Sequence, residues 1–136
     1  MKKVLIFGTF DGIHEGHRNL FLQAKEYGDY LSVIVARDET VLQIKGRLPK
    51  YTEAKRSKAL SCEDVIDNVT LGCKVYKYRA IHLQKPDVIC LGYDQKNFID
   101  KLREMLDSND LQETQVIRLQ SYKPYIYKSS KINKSL

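Results

Sequence analysis

The sequence predicts an α/β fold: three layers, in which a five-stranded parallel sheet has helices on both faces. Short apolar runs alternate along the chain with segments whose apolar residues recur at helical spacing, and this alternation favours parallel strands joined by helices. The connections are short, and no repeat, low-complexity tract or linker interrupts them. Residues 1–136 are therefore expected to form a single domain, which is long enough to bury one core.

Five strand candidates are short apolar or β-branched runs bounded by polar or turn-forming residues. Runs of this kind are typical of strands buried in a parallel sheet. In chain order they are residues 4–7, 30–36, 66–71, 87–91 and 114–119.

The first helix candidate follows the first strand. Its apolar residues recur at helical spacing from Leu20 to Tyr27, and it is predicted to begin near Glu15 or Gly16. Gly28 stands where a helix of this length would end.

Three later helices are weaker predictions. Residues 49–60 start as a polar loop and pass into a modest helix that Thr52 is placed to cap. Residues 76–85 have helical character, and Pro86 closes that segment. The last helix is predicted from apolar residues at helical spacing, namely Phe98, Leu102, Met105 and Leu106.

Composition excludes several classes of protein. The net charge is +6, but the lysines are scattered without a block of like charges, so small polyanionic ligands fit better than nucleic acid. No stretch approaches the ~20 apolar residues of a membrane span and no signal sequence is visible, so a cytoplasmic protein without a membrane partner is expected. The three cysteines are widely spaced, which indicates neither disulfides nor a zinc site, and Cys90 is expected in the core.

The most informative motif is residues 8–17, Gly-Thr-Phe-Asp-Gly-Ile-His-Glu-Gly-His, directly after the first strand. A helix that begins there offers unpaired backbone N–H groups and a positive dipole end to an anion. His14 and His17 are three residues apart, so both imidazoles lie on one face of the first turn and can donate to the same phosphate. The alternative is a purely structural role, in which His17 only caps or packs against this turn and His14 is a solvated loop residue.

Three candidate segments follow the ends of predicted strands: residues 8–17, Arg37 with Asp38, and residues 92–95. In an open parallel sheet, ligands bind outside the carboxyl ends of the strands. These segments are therefore expected to share one rim of the sheet.

The motif at residues 8–17 resembles the signature of the HxGH nucleotidyltransferase superfamily, whose fold is Rossmann-like. Over almost the whole chain, the sequence is most similar to archaeal-type FAD synthetases, which are FMN adenylyltransferases, and next to glycerol-3-phosphate cytidylyltransferases. The segments that carry this similarity are residues 33–41, read as a strand and a following loop, the basic loop at residues 45–47, and residues 91–95 and 127–132. The arginines that cytidylyltransferases usually carry near residues 64–69 and 120–123 are absent, which favours the FAD synthetase type.

The resemblance implies a set of site residues. The catalytic set is His14, His17, Lys45 and Arg56. The nucleotide-binding set is Gly8, Thr9, Phe10, Asp11, Gly16, Arg37, Asp38, Arg47, Gly92, Tyr93, Asp94, Gln95, Ser129 and Ser130. No protein ligand to a metal is implied, because Mg²⁺ would be held by phosphate and water.

For several of these residues, the sequence also allows a role other than binding or catalysis. By pattern alone, Arg56 would be solvent-exposed, and Lys45 with Arg47 could belong to an ordinary flexible loop. Asp11 could orient the histidines or favour the helix N-terminus. Asp94 could be a turn aspartate.

The resemblance also implies a reaction. A phosphate oxygen of the acceptor would attack the α-phosphorus of a nucleoside triphosphate in line and expel pyrophosphate, with no covalent enzyme intermediate. ATP with FMN is the favoured substrate pair, giving FAD; CTP with glycerol 3-phosphate or another phosphorylated alcohol is the alternative. A nucleotide-binding module without turnover is the third hypothesis, and a homodimer is expected from the resembling enzymes.

Overall fold

The computed structural model describes residues 1–72, 79–92, 102–108 and 111–120. Within these residues the chain forms five strands and five helices. In chain order they are β1 Lys3–Gly8, α1 Glu15–Lys25, β2 Tyr30–Val35, α2 Asp38–Lys45, α3 Glu53–Ser61, β3 Asn68–Leu71, α4 Arg79–Gln84, β4 Val88–Leu91, α5 Leu102–Ser108 and β5 Gln115–Arg118.

The five strands form one parallel sheet in the order β3-β2-β1-β4-β5. The central strand is β1, which pairs with β2 in register from Lys3↔Tyr30 to Gly8↔Val35. The segments that follow β1, β2 and β4 therefore leave the same edge of the sheet, so the predicted shared rim is confirmed. The prediction of a parallel α/β sheet is confirmed as well.

Helices pack on both faces because successive side chains of β1 point to opposite sides. Val4 belongs to a buried cluster with Phe21 of α1 and Leu60 of α3. Leu5 belongs to the cluster on the other face, together with Ile81 of α4. The sheet is thus enclosed between two apolar layers, which is why its strands read as continuous apolar runs.

Helix α2 is the main departure from the sequence analysis, which took this segment as a loop. It is short and buries only Val41, so its sequence shows little of the periodicity that predicts a helix. The N-cap residue Arg37 makes no side-chain cap, and the first turn is stabilised from α3 instead. Tertiary contact therefore decides the structure of this segment.

The other elements agree with the prediction apart from their ends. Helix α1 begins at Glu15, and the Thr52 side chain accepts from Lys55 N (3.3 Å) at the start of α3. The predicted helix at 76–85 is seen as α4, and the part before Arg79 lies outside the described residues. Of the helices in the described ranges, none has the length and apolar character needed to cross a membrane.

Candidate active site

The turn between β1 and α1 has an unusual backbone. Phe10 has φ of 53° and Gly12 has φ of 99°, both in the left-handed region that side chains disfavour. The ring of Phe10 is buried, and its centroid lies 5.6 Å from that of His17 and 5.7 Å from that of Phe21. A Cβ at Gly8 would come within 3.1 Å of this ring, closer than an ordinary van der Waals contact. The side chain of Phe10 belongs to the core and packs against His17, and a contact of Phe10 with nucleotide stays a prediction.

The two histidines of the motif lie together at the N-terminus of α1. His14 is the N-cap, and its Nδ1 accepts from Gly16 N at 3.0 Å. His14 N in turn donates to Nδ1 of His17 at 3.2 Å. The rings stack with centroids 3.9 Å apart and an interplanar angle of 26°. The capping alternative and the phosphate-site prediction are thus compatible, because capping uses only the Nδ1 atoms.

These contacts determine the protonation of both rings. An Nδ1 that accepts a hydrogen bond carries no proton, so each neutral ring carries its proton on Nε2. Desolvation, and secondly the neighbouring His14, lowers the pKa of His17 to about 4. Desolvation also lowers the pKa of His14, although Glu15 opposes this shift. At pH 7 the pair therefore presents two neutral Nε2–H donors.

Arg56 is buried, with only 2% of its surface exposed, so the pattern-based expectation of an exposed arginine is wrong. Its guanidinium joins three segments: Nη1 donates to Thr9 O (2.8 Å), Nε to Tyr51 O (3.0 Å) and Nη2 to Asp38 Oδ1 (2.7 Å). Three of the five N–H donors of an arginine are thus used within the protein. A contact of Arg56 with phosphate stays a prediction.

Arg37 and Asp38 begin α2 and bond to the start of α3. Asp38 N donates to Glu53 Oε1 (2.9 Å), and Glu53 N donates to Asp38 Oδ2 (3.3 Å), so each carboxylate caps the other helix. Arg37 pairs with Glu53 (3.1 Å) and also donates to Gly72 O (2.7 Å), at the end of β3. Both residues lie on the predicted rim, and their side chains hold α2 and α3 together.

Asp11 has a structural role that was not predicted from the sequence, and its electrostatic effect on the helix N-terminus stays a prediction. Its carboxylate accepts from Lys50 N (2.7 Å) and Tyr51 N (2.9 Å), so it ties the segment between α2 and α3 to the histidine turn. Desolvation alone would raise its pKa, but the two amide donors, Arg56 and Lys45 outweigh that effect and lower the pKa of Asp11. Neither histidine is among its hydrogen-bond partners in the described part of the chain.

The basic segment after α2 is open to solvent. Lys45 ends the helix, Gly46 takes the left-handed C-cap conformation with φ of 75°, and Arg47 follows. Lys45 and Arg47 are both exposed, and within the described ranges neither makes an ion pair. They are therefore available to an anionic ligand.

The remaining predicted residues fall into three groups. Gly92 directly follows β4 on the shared rim, where its carbonyl accepts from Arg118 (2.7 Å). Gly16 and Thr9 lie in the histidine turn and contribute the backbone contacts given above. Those outside the described residues are Tyr93, Asp94, Gln95, Ser129 and Ser130.

Three residues that organise this site were not predicted from the sequence: Lys50, Tyr51 and Glu53. Each acts on a residue far away in sequence, Asp11 or Asp38, so no local spacing marks it. Of the groups in residues 1–72, 79–92, 102–108 and 111–120, no cluster of three or more His, Cys, Asp or Glu side chains could hold a metal ion.

A cavity of about 460 Å³ lies between α4 and the edge strand β3, and Arg37 on the rim is among its lining residues. Its lining includes Lys3, Thr70, Arg79 and Gln84, and it contains neither histidine. The candidate active site is therefore located by the geometry of the histidine turn and not by cavity size.

Comparison with known proteins identifies the family of the chain. The cytidylyltransferase-like family model matches residues 5–135. The FAD synthase of Thermococcus sibiricus is 38% identical over 128 residues, which is 93% of this chain and 83% of that protein. The FAD synthase of Pyrococcus horikoshii is 40% identical over 134 residues, 98% of this chain and 87% of that protein.

Two solved structures have the same fold. The lipopolysaccharide core biosynthesis protein of Thermoplasma volcanium superposes with a TM-score of 0.83 at 32% identity, covering 90% of this chain and 99% of that one. A protein with unknown function from Archaeoglobus fulgidus shares the fold, with a TM-score of 0.68 at 16% identity over 88% of this chain and 90% of that one. The family match, the extent of the two FAD synthase alignments and the paired histidines lead to one conclusion: the chain belongs to the cytidylyltransferase-like family and is a nucleotidyltransferase.

Proposed function

We propose that the chain is an FMN adenylyltransferase, which joins ATP and FMN to give FAD and pyrophosphate. The observation that carries this proposal is the stacked histidine pair, whose two Nε2–H donors are fixed by backbone hydrogen bonds at the carboxyl end of the central strand. The choice of ATP and FMN is supported by relatives named FAD synthase that align with more than nine-tenths of the chain.

The reaction needs no covalent intermediate. A phosphate oxygen of FMN attacks the α-phosphorus of ATP, a new P–O bond forms, and the bond to the bridging α–β oxygen breaks, so that pyrophosphate leaves. Negative charge grows on the bridging and leaving oxygens. Fixed N–H donors stabilise such charge without reorganising. His14 and His17 supply these donors, and both remain neutral at pH 7 because their pKa values are lowered.

The triphosphate would lie over the histidine turn. Lys45 and Arg47 are exposed cations on the neighbouring segment and would close over its phosphates. Arg56 would add positive potential from beneath Thr9, and Ser129 with Ser130 are predicted to meet the same phosphates. These roles rest on the resemblance and on the charges placed around the turn.

Mg²⁺ fits this site as a phosphate-held ion. The carboxylates of Asp11 and Asp38 already accept from amides and from Arg56, so the part of the site that the structure describes offers no protein cage. The ion would be coordinated by triphosphate oxygens and water and would offset their charge.

The two substrates would occupy opposite sides of the turn. The nucleoside is proposed to lie beyond β4, against Gly92, Tyr93, Asp94 and Gln95. The acceptor would then lie on the β2 side, where α2 and the segment after it begin, since β1 stands between β2 and β4. In an in-line attack the acceptor oxygen and the leaving pyrophosphate lie on opposite sides of the α-phosphorus.

The test is a matrix of ATP and CTP against FMN and glycerol 3-phosphate, with pyrophosphate release as the measurement. We expect release with ATP and FMN only, together with formation of FAD. Release with CTP and glycerol 3-phosphate would replace the proposal by a cytidylyltransferase. Release with no pair would indicate a nucleotide-binding module. A homodimer in the cytoplasm stays a prediction from the sequence.

A further inference from the structure

Tyr51 is an exposed aromatic residue whose backbone is held at both ends. Its N–H donates to Asp11 (2.9 Å), and its carbonyl accepts from Arg56 Nε (3.0 Å). The side chain is 39% exposed. A Cβ added at Gly12 would lie 3.8 Å from Cε2 of Tyr51, so the ring lies beside the turn that carries His14.

The two hydrogen bonds that hold Tyr51 do not explain why residue 51 is a tyrosine. Both use backbone atoms, so any residue except proline could make them. The ring is neither in the core nor paired with another aromatic ring in the part of the chain that the structure describes. A half-exposed aromatic side chain whose backbone is held beside the histidine turn is suited to stacking on a ligand.

The residues just before Tyr51 also expose apolar side chains. Of the eight large hydrophobic side chains exposed among the described residues, four lie between positions 42 and 51: Leu42, Ile44, Leu48 and Tyr51. The ammonium of Lys50 lies 5.4 Å from the centre of the Tyr51 ring. This segment therefore combines apolar and aromatic surface with positive charge, which fits a ligand that joins a planar ring to a phosphate.

The position of the segment selects one of the two substrates. It connects α2, which follows β2, to α3, and Asp11 ties it to the turn after β1, whereas Gly92 follows β4 on the other side of β1. The flavin phosphate is the nucleophile, and its tricyclic ring extends away from the attacked phosphorus on the acceptor side. Glycerol phosphate has no ring to place there.

We propose that Tyr51 stacks on the isoalloxazine ring of FMN and thereby selects a flavin as the acceptor. This inference rests on the proposed function. Asp11 and Arg56 act as positioning residues for it, because they fix the backbone of Tyr51 against the histidine turn.

The test measures the KM for FMN and the KM for ATP in Tyr51→Ala. Base–aromatic stacking lost on substitution by alanine predicts a rise in the KM for FMN of about 5- to 100-fold. The KM for ATP should remain unchanged. Tyr51→Trp should keep the low KM for FMN, because it retains a flat aromatic face. Leu22→Ala is the matched control, since Leu22 is an exposed apolar residue (54%) on α1, outside the site.

A second measurement separates stacking from a structural effect. FMN titrated into the wild-type protein should lose fluorescence, because a tyrosine in van der Waals contact quenches the flavin. Tyr51→Leu keeps apolar bulk and the backbone bonds but has no π-face. It should fold with an unchanged melting temperature and leave bound FMN brighter than in the wild type.

Three results would overturn the inference. If the wild type forms FAD and Tyr51→Ala retains its KM for FMN, Tyr51 does not bind the flavin. If the KM for ATP rises instead, the ring contacts adenine. If the wild type releases no pyrophosphate from ATP and FMN, the proposed function fails first, and the inference fails with it.

Discussion

At the scale of single residues, the site depends on which nitrogen of each imidazole carries the proton. Nδ1 of His14 and Nδ1 of His17 both accept from backbone amides, so each neutral ring carries its donor proton on Nε2. The same contacts cap α1. The hydrogen bonds that cap the helix therefore also set the tautomer of each imidazole.

The first prediction concerns His17→Ala. Loss of one preorganised donor should lower kcat by about 100-fold or more, equivalent to ~3 kcal/mol of transition-state stabilisation. Steady-state rates of FAD formation measure it. His17→Asn is the control, because its amide oxygen can still accept from His14 N and its NH₂ can still donate.

Relative to His17→Ala, the Asn variant should recover the ~1 kcal/mol of folding stability that a lost cap costs, but only part of the lost kcat. A near-normal kcat in His17→Ala would remove His17 from the mechanism.

At the scale of elements, α2 and α3 are held by one buried ion pair and two reciprocal caps. The side chain of Arg56 is 1% exposed and that of Asp38 is 30% exposed. Arg56 also holds Thr9 O, so this contact joins the two helices to the histidine turn. The start of α2 depends on Glu53, which lies fifteen residues further along the chain.

The second prediction is that Asp38→Ala destabilises the protein by about 3 kcal/mol, because it leaves the buried guanidinium of Arg56 without its counter-charge. Urea unfolding measures this change. The matched control is Asp107→Ala, which removes the exposed pair Arg103–Asp107, with side chains 48% and 57% exposed. That loss should be about 0–1 kcal/mol. Equal losses in the two variants would show that burial of Arg56 does not carry the stability of this contact.

At the scale of the whole molecule, the low pKa of His17 links stability to pH. Between about 4, the native value, and 6.5, the ordinary value, the unfolded chain binds a proton that the native state does not. Stability is therefore fully present above pH 6.5 and falls as the pH is lowered toward 4.

The third prediction is that His17 contributes about 1–3 kcal/mol of this loss, the lower part of the range reflecting solvent screening of a partly exposed ring. Urea unfolding of the wild type and of His17→Asn at pH 7.5 and pH 4.5 measures it. The Asn variant, which lacks the titrating ring, should lose less stability between the two values. Parallel losses would contradict the low native pKa.

The sequence by itself determined the parallel α/β sheet, the helix start at Glu15, the cap at Thr52 and the shared rim after β1, β2 and β4. These features depend on local periodicity and on residues a few positions apart, which sequence patterns record directly. The HxGH motif likewise placed His14 and His17 together, because a three-residue spacing is short enough for helix geometry to decide.

Only the tertiary structure decided the burial of Arg56, the helical state of α2 and the role of Asp11. Each depends on contacts between residues distant in sequence: Thr9 with Arg56, Asp38 with Glu53, and Asp11 with Tyr51. Such contacts carry no local period. A buried arginine and an exposed one look alike in sequence, since what separates them is whether the folded chain supplies acceptors for the guanidinium.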